Sequence, residues 1–465
     1  MSHENHSVRG LRIIIVGCGK VGSTLIERLD QEGHDITIID QNPSKITEIT
    51  NQYDIMGIVG NGASYNVQKE AGIDNADLII AVTGSDELNL LCCTIARREG
   101  RCAAIARVRT PEYSNEIGFI RERLGLAMVI NPELEASREA ARILSLPTAL
   151  EISSFAHGTA GMVKIKIPEA NILHNMSIAD LGRKMGNNVL ICAVEREGEF
   201  TIPSGNFIMQ SGDIISFVGT RKNARAFLRQ IGYLTKQVRN TLIVGGGKAA
   251  YYLADQLIKA GINVKIIESD FNRCEELSIL LPEAIIIHGD GTNRDLLKEE
   301  GIEDVESFVP LTGIDEENIM LTLHAKQVSH TNAKVITKIN RINFTDVINQ
   351  LDLGSVLYPK YITSEAIIAY VRARQAASEE SNIETISHLF NQRVEAIEFH
   401  ITEQSSITNV PLKDLRLKKN LLIAFIARKG SILIPSGNDT LQKDDNVMVV
   451  TTHVGFRDIH DIVLD

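Results

Sequence analysis

The chain repeats itself. Gly17-Cys18-Gly19-Lys20 returns as Gly245-Gly246-Gly247-Lys248 at an offset of 228 residues. Asp40, closing "DITIID", returns as Glu268, closing "NVKIIE", at the same offset. Asn61-Gly62-Ala63-Ser64 answers Asp290-Gly291-Thr292-Asn293, and "AVTGSDELN" (81–89) answers "PLTGIDEEN" (310–318), both at 229. The match continues further along: "LICAVEREG" (190–198) pairs with "LIAFIARKG" (422–430), and "IPSG" at 202–205 with "IPSG" at 434–437, at 232. Offsets this steady mark a tandem duplication, so each half must build the same architecture. Each half divides in two, giving the order N1–C1–N2–C2 with expected domains at residues 1–131, 132–235, 236–358 and 359–465.

Each N module reads as buried strands alternating with helices. In the first, strands are expected at 11–16, 35–40, 55–59, 78–82 and 103–108. They are dense in Ile and Val without period-two alternation, as a parallel sheet covered on both faces requires. Val21, Leu25 and Leu29 share one face of the first helix. Gly33 and Gly261 stand where the first helices should stop. The fold class expected is α/β: two Rossmann-like doubly wound parallel sheets, each followed by a small α+β domain.

After each N module a proline opens a helix. Asn131-Pro132 reads as an N-cap and first helical residue, with Leu134, Ala141 and Leu144 as the buried stripe. Pro359 opens its counterpart. Such an arm can pack on its own module or swap across a dimer, and the residues leave both open. In the C modules "MVKIKI" (162–167) and "VEAIEF" (394–399) alternate apolar with polar and read as half-buried strands.

A glycine fingerprint alone says little, but here it follows a strand, opens a helix, and precedes an acid at the end of the next strand. Gly17 permits the tight turn, Gly19 lets backbone approach a pyrophosphate, and Gly22 lets helix and strand pack closely. Backbone N–H groups of this loop and the helix dipole would hold the anion. Asp40 would accept the adenosine ribose hydroxyls and repel a 2′-phosphate. NAD(H) is therefore favoured over NADP(H), with ATP or ADP fitting the same adenosine half. In the second module Ala250 replaces the last glycine and Glu268 the aspartate, with Arg273 near along the chain, so its selectivity should differ. Asn61-Gly62, Thr83-Gly84 with Asp86-Glu87, and Arg107 should face the first crevice. Asp290-Gly291, Thr312-Gly313 with Asp315-Glu316, and Lys338 should face the second. Arg107 and Lys338, at strand ends, could neutralise a phosphate.

Hydride transfer needs a proton donor beside the nicotinamide. No such constellation stands out: His157, His174, His388 and His400 are unmatched between the repeats and read as surface residues, so no catalytic residue is expected. The six cysteines form no CxxC pair and read as small core residues, so no metal site is expected; Cys18, inside the glycine loop, leaves a reactive thiol open. A formal net charge of −11 argues against general nucleic-acid binding. No apolar run approaches the roughly 18 residues of a membrane span, and the polar first ten residues lack a signal-peptide core, so a cytosolic protein is expected.

"IIIVGCGKVG", "DITIID", "VGNGAS", "AVTGSDELN" and "IARVRTPEY", in this order and spacing, resemble the TrkA family. These are the cytosolic regulatory subunits of Trk-type potassium uptake systems, built from tandem RCK (KTN) units. The resemblance runs from about residue 11 to 465. It implies NAD(H) and adenine-nucleotide binding at Gly17 to Val21, Asp40, Asn61-Gly62, Thr83 and Arg107. It implies a second site at Gly245 to Ala249, Glu268, Asp290-Gly291 and Lys338. It also implies a homo-oligomeric ring, dimer or tetramer, beneath a membrane-embedded potassium translocation subunit on the cytoplasmic face of the membrane. Two readings compete: a soluble NAD-dependent oxidoreductase, and a free-standing nucleotide or ligand sensor.

Overall fold

The computed structural model describes residues 10–464 except 101, 147–148, 157–158, 187, 234–236, 341–347, 349–350, 377–381, 390–392 and 404. The expected boundary at 235/236 and His157 lie outside the described residues. The first sheet has the order β3-β2-β1-β4-β5-β6. Its strands are β1 Arg12–Val16, β2 Asp35–Asp40, β3 Met56–Val59, β4 Leu78–Ala81, β5 Ala103–Arg107 and β6 Met128–Ile130, all parallel. β6 was not among the expected strands, because three residues show no readable period. The strand order reverses between β1 and β4, and the crevice above that point is where a doubly wound sheet takes its ligand. The helix Lys20–Gln31 ends as its glycine suggests: Gly33 has φ +77°, and His34 N donates to Leu29 O at 3.2 Å.

An antiparallel sheet follows, β7-β8-β11-β9-β10, from β7 Glu151–Phe155, β8 Ala160–Lys166, β9 Leu190–Arg196, β10 Glu199–Thr201 and β11 Ile214–Thr220. The second half repeats both. β12 Asn240–Val244, β13 Asn263–Glu268, β14 Ile285–His288, β15 Ser307–Pro310, β16 Lys334–Lys338 and β17 Ser355–Leu357 give the order β14-β13-β12-β15-β16-β17. β18 Ile383–Leu389, β19 Val394–His400, β20 Leu421–Arg428, β21 Ser431–Leu433 and β22 Asn446–Thr451 give β18-β19-β22-β20-β21. This is the first antiparallel order position for position.

The arms swap, and they do so inside one chain. The helix Pro132–Ser145 puts Ala140, Ile143 and Leu144 into one core with Ala250, Leu253, Ala254 and Leu257 of the second module's glycine-loop helix, Lys248–Lys259. Ala136 and Ala140, with Ile143 and Leu144, form its buried stripe, while the expected Leu134 and Ala141 are only half-buried. Small residues on both helices let them approach closely. The helix Pro359–Ala376 returns the exchange: Ile367, Ile368 and Val371 share a core with Leu25, Ile26 and Leu29 of the helix Lys20–Gln31. The two halves are thus clasped by each other's arms.

The two antiparallel sheets also pack face to face. Phe155, Met162, Cys192 and Val218 meet Ala396, Phe425, Met448 and Val450, with Phe155 and Phe425 edge-on at 6.5 Å. This corrects the half-buried reading of 394–399. β19 is buried along nearly all its length because its second face lies against the companion domain. Its glutamates are buried in consequence. Glu398 accepts from Ala156 N of the first half at 3.0 Å. Glu395 receives Arg372, which also binds Glu32 with Nε at 3.0 Å. His388 was expected at the surface; it lies instead in this network, between Glu365 at 3.4 Å and Glu395 at 3.3 Å, with Arg28 at 3.4 Å. An ion network therefore joins the helix Lys20–Gln31, the arm Pro359–Ala376 and the last sheet.

Candidate functional site

Each crevice begins at a glycine that only glycine can occupy. Gly17 has φ +104°, and Gly245 +96°, both in the left-handed region. Gly17 N donates to Ile39 O, and Gly245 N to Ile267 O, each at 2.8 Å, which locks the turn to the neighbouring strand. A Cβ at Gly22 would stand 2.0 Å from Gly17 O, so the third glycine clears the loop's own carbonyl rather than the sheet. Gly19 is different: a Cβ there would meet no protein atom within 4 Å, and the same is true of Gly247. Each is the N-cap of its helix, neither supplies a side-chain cap, and neither helix carries an acid in its first turn. Unsatisfied amides and the positive dipole end thus open into free space, which is what a diphosphate requires.

The acids stand beside these loops. Asp40 Oδ2 accepts from Cys18 N at 2.7 Å and Oδ1 from Asn42 N at 2.8 Å. Glu268 does the same with Gly246 N at 2.6 Å and Asp270 N at 2.8 Å. The longer glutamate therefore reaches an equivalent position. Its carboxyl is held below the usual range: burial opposes ionisation, and the bonds from Asp270, Gly246 and Ser269 outweigh it. Arg273 is already engaged, its Nε on Gly246 O at 2.7 Å and its Nη1 on Glu276 at 2.6 Å. Cys18 is no reactive thiol: burial, then the Asp40 charge, push its pKa up to about 12. Val21 points into the core, so only its backbone faces the loop.

The remaining predicted residues divide by role. Gly62 and Gly291 bring their loops against the first strand, since a Cβ would stand 2.2 Å from Val16 Cγ1 or Val244 Cγ1 respectively. Asn61 and Asp290 close their own turns, accepting from Ala63 N at 3.0 Å and Thr292 N at 2.8 Å. Gly84 and Gly313 have open space above Cα. Asp86 is buried and engaged within the chain: it accepts from Arg109 N at 2.9 Å and from Thr110 N at 2.8 Å. Arg107 Nη2 donates to Thr83 O, while its buried Nε has no hydrogen-bond partner. Burial, then Arg109 nearby, push its pKa down to about 10. A part-buried guanidinium with a free donor at a strand end suits an anion. Lys338 lies on Leu311 O at 3.0 Å and is likewise lowered by burial.

Two fully buried asparagines that the motif reading left without a role brace each crevice. Asn89 Oδ1 accepts from Thr83 N at 2.8 Å and Thr83 Oγ1 at 2.7 Å, and its Nδ2 donates to Arg107 O at 2.9 Å. Asn318 repeats this with Thr312 N and Oγ1, both at 2.9 Å, and Lys338 O at 3.0 Å. Their recurrence inside "TGSDELN" and "TGIDEEN" was the available signal. Tyr252 is a second omission, with no counterpart in the first half, where Thr24 stands. Its hydroxyl donates to Arg109 O at 2.8 Å and joins Ser114 at 2.7 Å and Asn131 at 3.0 Å. Lys248 Nζ, in the second glycine loop, donates to Thr110 Oγ1 at 3.0 Å, and Ser137 Oγ to Ala249 O at 2.9 Å. The first crevice's far wall is therefore bonded to the second crevice's loop. Among the described residues no group of acids, histidines and cysteines is placed to hold a metal, and no helix is long and apolar enough to cross a membrane.

The TrkA-N domain family matches residues 13–132 and 241–359, and the TrkA-C domain family 162–232 and 396–463. The Trk system potassium uptake protein TrkA of Halomonas elongata is 30% identical over 94% of this chain and 95% of its own. The Haemophilus influenzae protein of the same name is 30% identical over the same shares. Among solved structures, the GsuK RCK domain superposes with a TM-score of 0.64 at 18% identity, over 96% of this chain and 93% of that one. The GsuK channel bound to NAD gives 0.63 at 17%, over 96% and 77%. At these identities the structures establish the fold alone. The chain belongs to the TrkA family, with two TrkA-N and two TrkA-C domains in tandem.

Proposed function

We propose that this chain is the peripheral, cytoplasmic regulatory subunit of a potassium uptake system. NAD(H) or an adenine nucleotide, ATP or ADP, occupies its crevices and sets the shape through which it gates a membrane-embedded potassium translocation subunit. The relatives named potassium uptake proteins support the partner class, and the similarly folded GsuK channel bound to NAD supports the ligand class. The observation that carries the reading is the pair of open, uncapped glycine loops, each with its carboxylate, joined through one polar wall. The loop shaped by Gly17 and Gly22 would present the free amides that follow Gly19 to the diphosphate, and Asp40 would take the ribose. Arg107 would meet the ligand's charge from the facing strand end. Gly245 to Ala249, Glu268 and Lys338 would do the same in the second half. Binding moves no hydride; it selects an arrangement, by no more than the ligand's difference in affinity for the two states. A ligand preferring one state a hundredfold shifts the equilibrium by about 2.7 kcal/mol. Copies of the chain assemble as a dimer or tetramer ring beneath the membrane partner.

The test is a thermal-shift panel of NAD⁺, NADH, ATP and ADP on wild type, Asp40→Ala and Glu268→Ala, followed by potassium uptake with the same variants. A ligand at a hundredfold excess over Kd is expected to stabilise the fold by about 2.7 kcal/mol. Loss of the shift in the variants, with altered nucleotide dependence of uptake, supports the reading. Turnover of NADH with a small oxo-acid, or binding untouched by both substitutions, overturns it.

A further inference from the structure

A nucleotide laid across such a crevice follows the strands. The diphosphate lies over the glycine loop after β12, the ribose at Glu268 closing β13, and the base beyond it at the end of β14, since these strands are neighbours in that order. His288 closes β14 and is the register partner of Glu268, so both side chains leave the same face of the sheet. Phe271 opens the helix Phe271–Leu280, three residues past Glu268. Its ring stands edge-on to the His288 imidazole, with centroids 5.5 Å apart and planes at 79°. His288 Nε2 lies 3.1 Å from Ser269 O, which ties the imidazole to the same loop. Phe271 is nevertheless 57% exposed: an apolar ring held upright beside the ribose position with its surface left in water. The first half keeps the loop and the carboxylate but has Pro43 and Val59 at these places, and neither offers a π face. The halves therefore diverge where a base would lie.

We infer that the second crevice binds an adenosine 5′-diphosphate moiety by stacking its purine on Phe271, with His288 holding that ring in place, a pair the first crevice lacks. This rests on the nucleotide-binding reading above. The shared moiety occurs in ADP and in NAD⁺ alike, so the experiment carries both. Full-length Asp40→Ala protein, which lacks the first site's ribose contact, is titrated with ADP, NAD⁺ and UDP by calorimetry. Phe271→Leu, Phe271→Tyr and Glu268→Ala are then added separately to that background. Phe271→Leu is expected to weaken ADP and NAD⁺ by the same factor, about tenfold, within the range base–aromatic stacking gives. UDP should change far less, so the preference for purine collapses, and Phe271→Tyr should restore it. The ring is exposed, so these changes leave the core untouched. Unchanged ADP affinity in Phe271→Leu, with Glu268→Ala still abolishing binding, overturns the stacking while the nucleotide reading stands. A loss confined to NAD⁺ overturns the assignment to the purine. Absence of any binding in the Asp40→Ala background overturns the reading of the second site, and the stacking with it.

Discussion

Replacing Asn89 by alanine tests the brace behind the first crevice. The side chain is wholly buried and makes three bonds under 3 Å, two from Thr83 and one to Arg107 O. At roughly 1 kcal/mol net for each, the loss comes to about 3 kcal/mol, and the groups left without partners keep it from being smaller. Thr83 and the Arg107 backbone would drift apart, so the nucleotide should weaken as well. The assay is urea unfolding alongside NADH titration. Asn318→Ala is the internal control: the equivalent bonds predict a similar loss of stability with the first site's affinity kept. Stability within about 0.5 kcal/mol of wild type, with an unchanged titration, would show that Asn89 holds nothing together.

Other substitutions separate fold from ligand. Gly22→Ala forces a Cβ to within 2.0 Å of Gly17 O and should destabilise the protein and abolish first-site binding, read by thermal unfolding and titration. Gly19→Ala meets no protein atom, so stability should hold while its methyl group fills the space for the diphosphate and binding is lost. Tyr252→Phe removes the hydroxyl shared by Arg109, Ser114 and Asn131. It should cost about 1–2 kcal/mol and raise hydrogen exchange on both sides of that contact. The ion network predicts losses at both ends of the pH scale. Burial favours neutral Glu32, but its contacts with His34 and Arg372 outweigh it and hold the pKa at about 2. Its contribution is full above its ordinary value of 4.5 and fades as pH falls through 2. Burial opposes charge on His388, yet Glu365 and Glu395 prevail and raise it. Its contribution is full below 6.5 and is lost as pH rises through the folded value. Urea midpoints against pH should show His388→Gln losing stability at pH 6 more than at pH 9.

The glycine loops, the strand-end acids and the doubly wound sheets were legible because each rests on local chemistry. A left-handed turn demands glycine, a fully covered strand demands Ile and Val, and a repeated offset exposes both copies. Asn89 and Asn318 were present in the repeated motifs, but an asparagine three residues past an acid reads equally well as a helix surface. β6 was too short to carry a period. The alternation at 394–399 misled, because buried Glu395 and Glu398 look like solvent-facing residues until their partners are in place.

Local patterns along the chain establish two halves, the fold of each, and the glycine loop and strand-end acid that each half carries. How the halves meet is set by packing between them. Apolar stripes on the arms and glycine-loop helices say that each must be covered, and by what size of residue, but not which copy covers which. The crossing of Pro132–Ser145 and Pro359–Ala376 settles that, and it places Lys248 and Tyr252 against the first crevice's wall. Those contacts join residues more than a hundred positions apart, and their chemistry exists only once both modules have folded and exchanged arms.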